Sequence, residues 1–272
     1  MVLTNMKKPK LIQAVLITIS IAILLGLFVK MQTIQPQDID YDSDPYSKIQ
    51  YIDDIRKVIN TLKGGSEKKI ASLVKYPLSM SYPVPDINNK EEFIERFDEV
   101  FDETILEKIA SSSIDDWDTV GWRGIMFDNG MVWLNYDGLI KAVIYQSEKE
   151  KQIQKELIEK ERATLHISVQ EFMEPYHHVY IDNDIVRVDK MLDDSFRLVI
   201  WKDKDTAQQP DLVISNGVIE FQGSGGGASY LFKDKDYTYD FGDPYIGSKA
   251  DPAIPSLSIY EGDELIYRGN SK

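Results

Sequence analysis

The chain has 272 residues, 43 % of them hydrophobic, which excludes global disorder and allows one large or two small folded domains. Its formal net charge is −14; residues 1–30 hold four lysines and no Asp or Glu, so the remainder carries −18, a surface that repels nucleic acid and anionic lipid headgroups. There is no cysteine, which excludes disulfides, thiolate chemistry and attachment through a lipobox.

Residues 1–10 form a basic stub containing Lys7, Lys8 and Lys10. Leu11–Val29 follows without a charge, interrupted only by the polar residues Gln13, Thr18 and Ser20. At about 1.5 Å per residue, a helix of this length spans roughly 28 Å, close to the hydrocarbon thickness of a bilayer. The positive-inside bias places the stub in the cytoplasm and the bulk of the chain outside the cell membrane. The competing reading is a cleaved signal peptide. The run is longer than the roughly 7–15 residues of a signal core, and Leu27–Gln32 offers no small-residue cleavage site. Residues 30–47, polar, acidic and proline-containing, read as a tether.

From Lys48 the apolar residues Ile49, Ile52, Ile55, Val58, Ile59 and Leu62 recur at helical spacing, and Gly64-Gly65 ends the helix. Ser66 caps a second helix predicted over Glu67–Val74. Proline punctuation follows, with a short extended segment over Ser79–Val84. Asn88 or Asn89 caps a longer helix whose stripe runs through Phe93, Phe97 and Phe101 to Ile109. Ser111–Thr119 reads as a turn. Gly124–Phe127, Met131–Asn135 and Leu139–Tyr145 read as strands joined by Asp128-Asn129-Gly130 and Asp137-Gly138, residues suited to the positive φ of hairpin turns. Residues 48–146 therefore form an α+β domain.

Residues 147–164 read as a charged helix with a thin apolar stripe, Ile153, Leu157 and Ile158, either a connecting helix between domains or one packed on either of them. Residues 165–272 are strand-rich, with strands expected at Ile185–Val188, Phe196–Trp201, Leu212–Ile214, Val218–Phe221, Ala228–Phe232, Tyr237–Phe241, Leu257–Tyr260 and Glu264–Tyr267. Short strands at this spacing suggest a mostly antiparallel sandwich or small barrel.

Two runs carry a resemblance. YPLSMSY, NNKEEFIERFDEVF and GIMFDNGMVWLNYDGLIKAVIY, within Tyr76–Tyr145, resemble the NTF2-like α+β domains of bacterial exported proteins. IVRVDKMLDDSFRLVIW and PDLVISNGVIEFQGSGGGASYLFKDKDYTYDF, within Ile185–Phe241, resemble the C-terminal β-domain of bacterial lipoproteins. The first resemblance implies helices packed on a curved meander, a fold that serves both enzymes and binding modules.

No motif here carries established chemistry. Gly223–Gly227 lacks the Gly-Lys-Ser/Thr and following helix of a phosphate loop and reads as a hairpin tip. His177 and His178 are adjacent, so in a strand they point to opposite faces, and His166 is remote. The D-x-D turns at Asp182, Asp203 and Asp234 lack the Gly and Glu of an EF-hand loop and read as self-capping turns. Asp98 and Asp102 are expected on one helix face, as a solvated pair. Asp115, Asp116 and Asp118 beside Trp117 and Trp122 suggest a sugar-stacking surface, against a core reading for the tryptophans. Tyr245, Tyr260 and Tyr267 add an aromatic patch of the kind that anchors interfaces. The sequence thus predicts no catalytic residue, metal ligand or cofactor, and Trp117, Trp122, Tyr245 and Tyr260 as ligand or interface residues. The expected function is a membrane-anchored, extracytoplasmic binding or interaction module of the bacterial envelope, with a protein or cell-wall partner and no nucleic acid. The alternatives are an inhibitor or immunity-type protein against a basic lytic enzyme, and a wall-directed hydrolase using a carboxylate pair.

Overall fold

The computed structural model describes residues 45–222, 227–244 and 254–272. The predicted span Leu11–Val29, nearly all of the tether, Gly223–Gly226 and Tyr245 lie outside the described residues. Among the described residues no helix is long and apolar enough to cross a membrane. Tyr51–Lys272 is an α+β unit with two antiparallel sheets, one of four strands and one of eight.

Helix α1 (Ile52–Gly64) buries Ile55, Val58, Ile59 and Leu62, the stripe read from the sequence, and ends where Gly65 N donates to Thr61 O at 2.7 Å. Helix α2 (Glu67–Ala71) stops three residues short of the predicted end, because Val74 leaves to form a parallel bridge with Ile140. The expected long helix after Asn89 is three short ones, α3 (Lys90–Glu95), α4 (Phe97–Val100) and α5 (Glu103–Ala110). Asn89 caps α3 by accepting from Glu92 N at 2.9 Å, and Asp102 caps α5 by accepting from Ile105 N at 3.1 Å. Phe101 between them is extended, so Asp98 and Asp102 do not share a helix face as predicted. The three phenylalanines still meet, with ring centroids 5.8 to 6.2 Å apart, because local breaks accommodate their packing.

The first sheet has the order β1 (Trp117–Thr119), β2 (Ile125–Phe127), β3 (Val132–Leu134), β4 (Ile140–Val143). Strand β1 lies in the segment read as a turn; its signal is short, but Trp117 is fully buried and anchors it. The predicted turn at Asp128-Asn129-Gly130 has positive φ throughout, 44°, 55° and 95°. One hydrophobic cluster joins these strands to α1–α5.

Helix α6 (Glu148–Thr164) is capped by Ser147, which accepts from Glu150 N at 3.0 Å. It leads through a 3-10 turn at Ile167–Val169 to the second sheet. That sheet is a meander, β5 (Glu174–Ile181), β6 (Asp184–Lys190), β7 (Phe196–Trp201), β8 (Leu212–Phe221), β9 (Gly227–Asp234), β10 (Tyr237–Pro244), β11 (Ser256–Glu261) and β12 (Glu264–Asn270), each strand antiparallel to the next. Strand β5 is absent from the sequence reading. Leu212–Ile214 and Val218–Phe221 form one strand, not two, since the predicted turn at Ser215-Asn216-Gly217 is a bulge with Asn216 at φ 61°. The sheet curls into a half-barrel. Its edges meet where Ile181 bridges Ser271 and Lys272 N donates to Tyr180 O at 3.1 Å. Gly269 permits this approach, because a Cβ there would lie 2.5 Å from Ile181 Cγ2.

Gly124, at φ 102°, enters β2 with its Cα so close to β3 that an added Cβ would stand 2.2 Å from Leu134 O. Gly124→Ala therefore combines an unfavourable backbone conformation with a backbone clash, and should cost more than about 1 kcal/mol in equilibrium urea unfolding. An unchanged midpoint would show that β2 and β3 are not held at this spacing.

Candidate functional site

Alternation along the meander gives the half-barrel two chemically different faces. Val186, Val188, Leu198, Ile200, Ile214, Phe232, Phe241 and Leu257 point inward and form one cluster. At the end reached by the β5–β6, β7–β8, β9–β10 and β11–β12 turns the interior is not filled. A cavity of about 410 Å³ is lined there by the aliphatic residues Ile181, Val186, Ile200, Leu212, Leu257 and Ile259, by Tyr239 and Tyr267, and by Asp184, Lys202 and Asp211. This volume falls in the range of small-molecule sites, roughly 300–1,000 Å³.

The opposite end is closed by aromatic rings packed mostly edge to face. Tyr176 meets Phe196 at 5.2 Å, Phe196 meets Tyr230 at 4.9 Å, and His177 lies 5.2 Å from Tyr230 and 4.9 Å from Phe241. Burial lowers the His177 pKa, against the opposing pull of Asp243, so a neutral imidazole completes this plug. Burial also raises the Tyr230 hydroxyl, with Asp243 adding to it. At the open end, burial and the hydrogen bond to Asp182 push Tyr267 up to about 12, and burial with Asp234 raises Tyr239. Both phenols are therefore neutral at physiological pH. The arrangement is a blind apolar cup with two tyrosines and three charged side chains at its mouth.

The outer wall of β6 and β7 carries a buried ionic chain. Asp189 accepts from Arg187 Nε and from Arg197 Nη2, each at 2.6 Å, with all three side chains at most 5 % exposed. Arg197 also donates to the carbonyls of Glu171 and Val169 at 3.0 and 2.8 Å. Arg187 is paired with Glu161 of α6 and stacks over Phe172, 4.7 Å from the ring centroid; Arg162 lies over the same ring at 4.5 Å. Glu161 further accepts from Tyr82 Oη at 3.1 Å and lies 3.4 Å from His178 Nδ1. Burial pushes the Glu161 carboxyl up, but His178, Arg187 and the Tyr82 hydroxyl outweigh it and hold it below the ordinary value. For Asp189 burial pushes upward, while the two guanidinium groups favour the carboxylate. The adjacent histidines do face opposite sides, His177 into the cup and His178 toward Glu161.

The predicted ligand residues within the described part of the chain, Trp117, Trp122 and Tyr260, sit in different places. Trp117 is fully buried in the first core, stacks on Phe127 at 4.8 Å and donates from Nε1 to Ser112 Oγ at 3.2 Å, so it presents no stacking surface for a sugar. Trp122 is 47 % exposed in a 3-10 turn beside the first sheet. Tyr260 sits on β11 opposite Thr238, in the other sheet. Tyr267, named only as an adjunct to that patch, lines the cup. Asp102 is occupied by the α5 cap and by Tyr145 Oη at 2.7 Å. Among the described residues no group of three or more His, Cys, Asp or Glu could hold a metal ion. The cup itself escaped the sequence reading; its signal was the inward alternation Val186, Val188 and Phe196, Leu198, Ile200.

No protein-family model, curated protein or solved structure matches the chain. The NTF2-like resemblance of Tyr76–Tyr145 therefore stands on the sequence runs that suggested it.

A carboxyl held low in the folded state adds stability above its unfolded pKa of about 4.3, and that stability is lost as pH falls through the lower folded value. Glu161→Gln should thus be less stable than the parent at pH 7, with the deficit shrinking toward about pH 3 in urea titrations. A deficit independent of pH would remove Glu161 from the ionic chain. Arg187→Met strips Asp189 and Glu161 of a buried partner and should cost about 3–5 kcal/mol at pH 7.

Proposed function

We propose that this chain is a membrane-anchored, extracytoplasmic binding module whose ligand site is the cup of the half-barrel. The observation that carries the reading is the aliphatic cavity of about 410 Å³, closed at one end by aromatic rings and open at the other. Apolar walls with a few polar groups at the rim suit a small amphipathic molecule, whose apolar body gains about 25 cal/mol per Å² on leaving water. The charged stub, apolar span and acidic remainder read from the sequence support attachment to the cell membrane with the cup outside.

The cysteine-free chain admits a single reporter. A trifluoroethyl label on Leu212→Cys, in the full-length protein held in lipid nanodiscs, should show a saturable fluorine resonance shift with 1-hexanol. Ile259→Trp, which fills the cavity, should abolish that shift while the protein still unfolds cooperatively. A shift that never saturates, or that survives Ile259→Trp, would exclude the cup as the site.

The membrane part has its own test. Protease added to intact cells should remove a C-terminal epitope, and alkaline carbonate should leave the undigested chain in the membrane fraction. An epitope protected in intact cells would reverse the proposed topology.

A further inference from the structure

We infer that the cup selects organic cations, molecules with an apolar body and an ammonium or guanidinium head; this rests on the reading of the cup as a ligand site. The cavity sets the apolar requirement and its mouth sets the charge. Asp184 lines the cavity on the same face as its β5 partner Ile181, and has no ion-pair partner among the described residues. Asp211, the other lining carboxylate, is already engaged, accepting from Lys202 N at 2.8 Å and paired with Lys204 at 3.0 Å. Asp184 is thus the carboxylate left to meet a bound charge.

The rings of Tyr239 and Tyr267 line the same cavity. An aromatic face attracts a cation through its quadrupole and has no such attraction for a carboxylate or sulfate. Lys202 is the one lining cation, and it is solvent-exposed. Beyond the lining residues, the four turns at this end, 182–184, 202–211, 234–236 and 261–264, carry eight Asp or Glu against two Lys. Two hydrogen bonds tie parts of this rim together. Gly262 N donates to Asp236 O at 3.0 Å, and Tyr267 Oη donates to Asp182 at 2.8 Å. A concave, low-dielectric site beneath a rim of one sign concentrates ligands of the opposite sign.

The fluorine-labelled Leu212→Cys protein in nanodiscs distinguishes the possibilities with three probes of equal apolar body, hexylammonium, 1-hexanol and hexanoate, at pH 7. Hexylammonium should bind about tenfold or more tightly than hexanoate, with hexanol between them, and the difference should shrink as salt rises from about 0.05 to 0.5 M. Asp184→Asn should weaken hexylammonium severalfold and leave hexanol unchanged. Hexanoate binding as tightly as hexylammonium would overturn the cation assignment and leave the cup reading intact. An ammonium preference undiminished in Asp184→Asn would overturn the role of that carboxylate. Silence with all three probes would overturn the cup reading itself.

Discussion

A carboxylate at the centre of the outer wall, Asp189, is chelated by Arg187 and Arg197, and the arrangement around it depends on that pairing. Three charges leave water here, which is favourable only if each finds its partners. Arg197 finds them in the carbonyls of the Val169–Glu171 segment, Arg187 in Glu161 and the face of Phe172. The consequence is directional. A purely apolar contact tolerates sliding and rotation, whereas a guanidinium bound to two carboxylates sets both position and angle.

That directionality explains how so polar a helix holds its place. Helix α6 has only Ile153, Leu157 and Ile158 as a stripe, too little to attach it by burial alone. Ile158 packs against the cluster around Val169, Phe172 and Trp201, and polar contacts supply the rest. Ser147 Oγ donates to the carbonyls of Asp98 and Glu99, Glu150 accepts from Ser81 N at 2.9 Å, Gln154 donates to Tyr82 O at 2.8 Å, and Glu161 reaches Tyr82 and Arg187. Arg162 then secures the segment that follows, through the carbonyls of Gln170 and Phe172. Glu150, Gln154 and Glu161 fall on one face of the helix, and Glu161 at its far end touches both the helical part of the unit, at Tyr82, and the half-barrel, at Arg187. Burial of Glu150 raises its carboxyl, even though Ser81 opposes the rise. The helix whose charges stand out in the sequence is thus held at an interface rich in hydrogen bonds and ion pairs.

Local physics made most elements legible. Helix α1, the turn at Asp128-Asn129-Gly130, strand β7 and the cap at Asn89 follow from apolar period, positive-φ residues and side-chain acceptors, all encoded within a few residues. What failed depends on distant partners. The stripe from Phe93 to Ile109 fits one helix, yet Asp102 starts a new one. Strand β5 begins with Glu174-Pro175 and carries two histidines, so its strand character comes from pairing with β6. The cup is less legible still. Each inward residue is visible as one half of an alternation, but the curl that brings Ile181 beside Ser271, and with it Tyr267 over the β5–β6 turn, belongs to the whole sheet. Trp117 carried two readings, a surface ring suggested by its acidic neighbours and a core indole, and it fills the first core.

The acidity of the cup's mouth invites a simpler account, that tight turns recruit Asp for backbone reasons alone. The backbone separates the two explanations. At this end Asp182 and Asp203 have positive φ, 54° and 50°, and their side chains suit that conformation. Asp211 has a second structural role in its bond to Lys202 N. Asp184, Glu261 and Glu264 have neither positive φ nor a bond that shapes a turn, and the remaining left-handed positions there belong to Lys235 and Gly262. Hairpin geometry therefore accounts for part of the charge and leaves Asp184, the member that lines the cavity, without a structural reason to be acidic. An unpaired carboxylate beside two tyrosines at an apolar cavity mouth is the feature on which the proposed preference for cations rests.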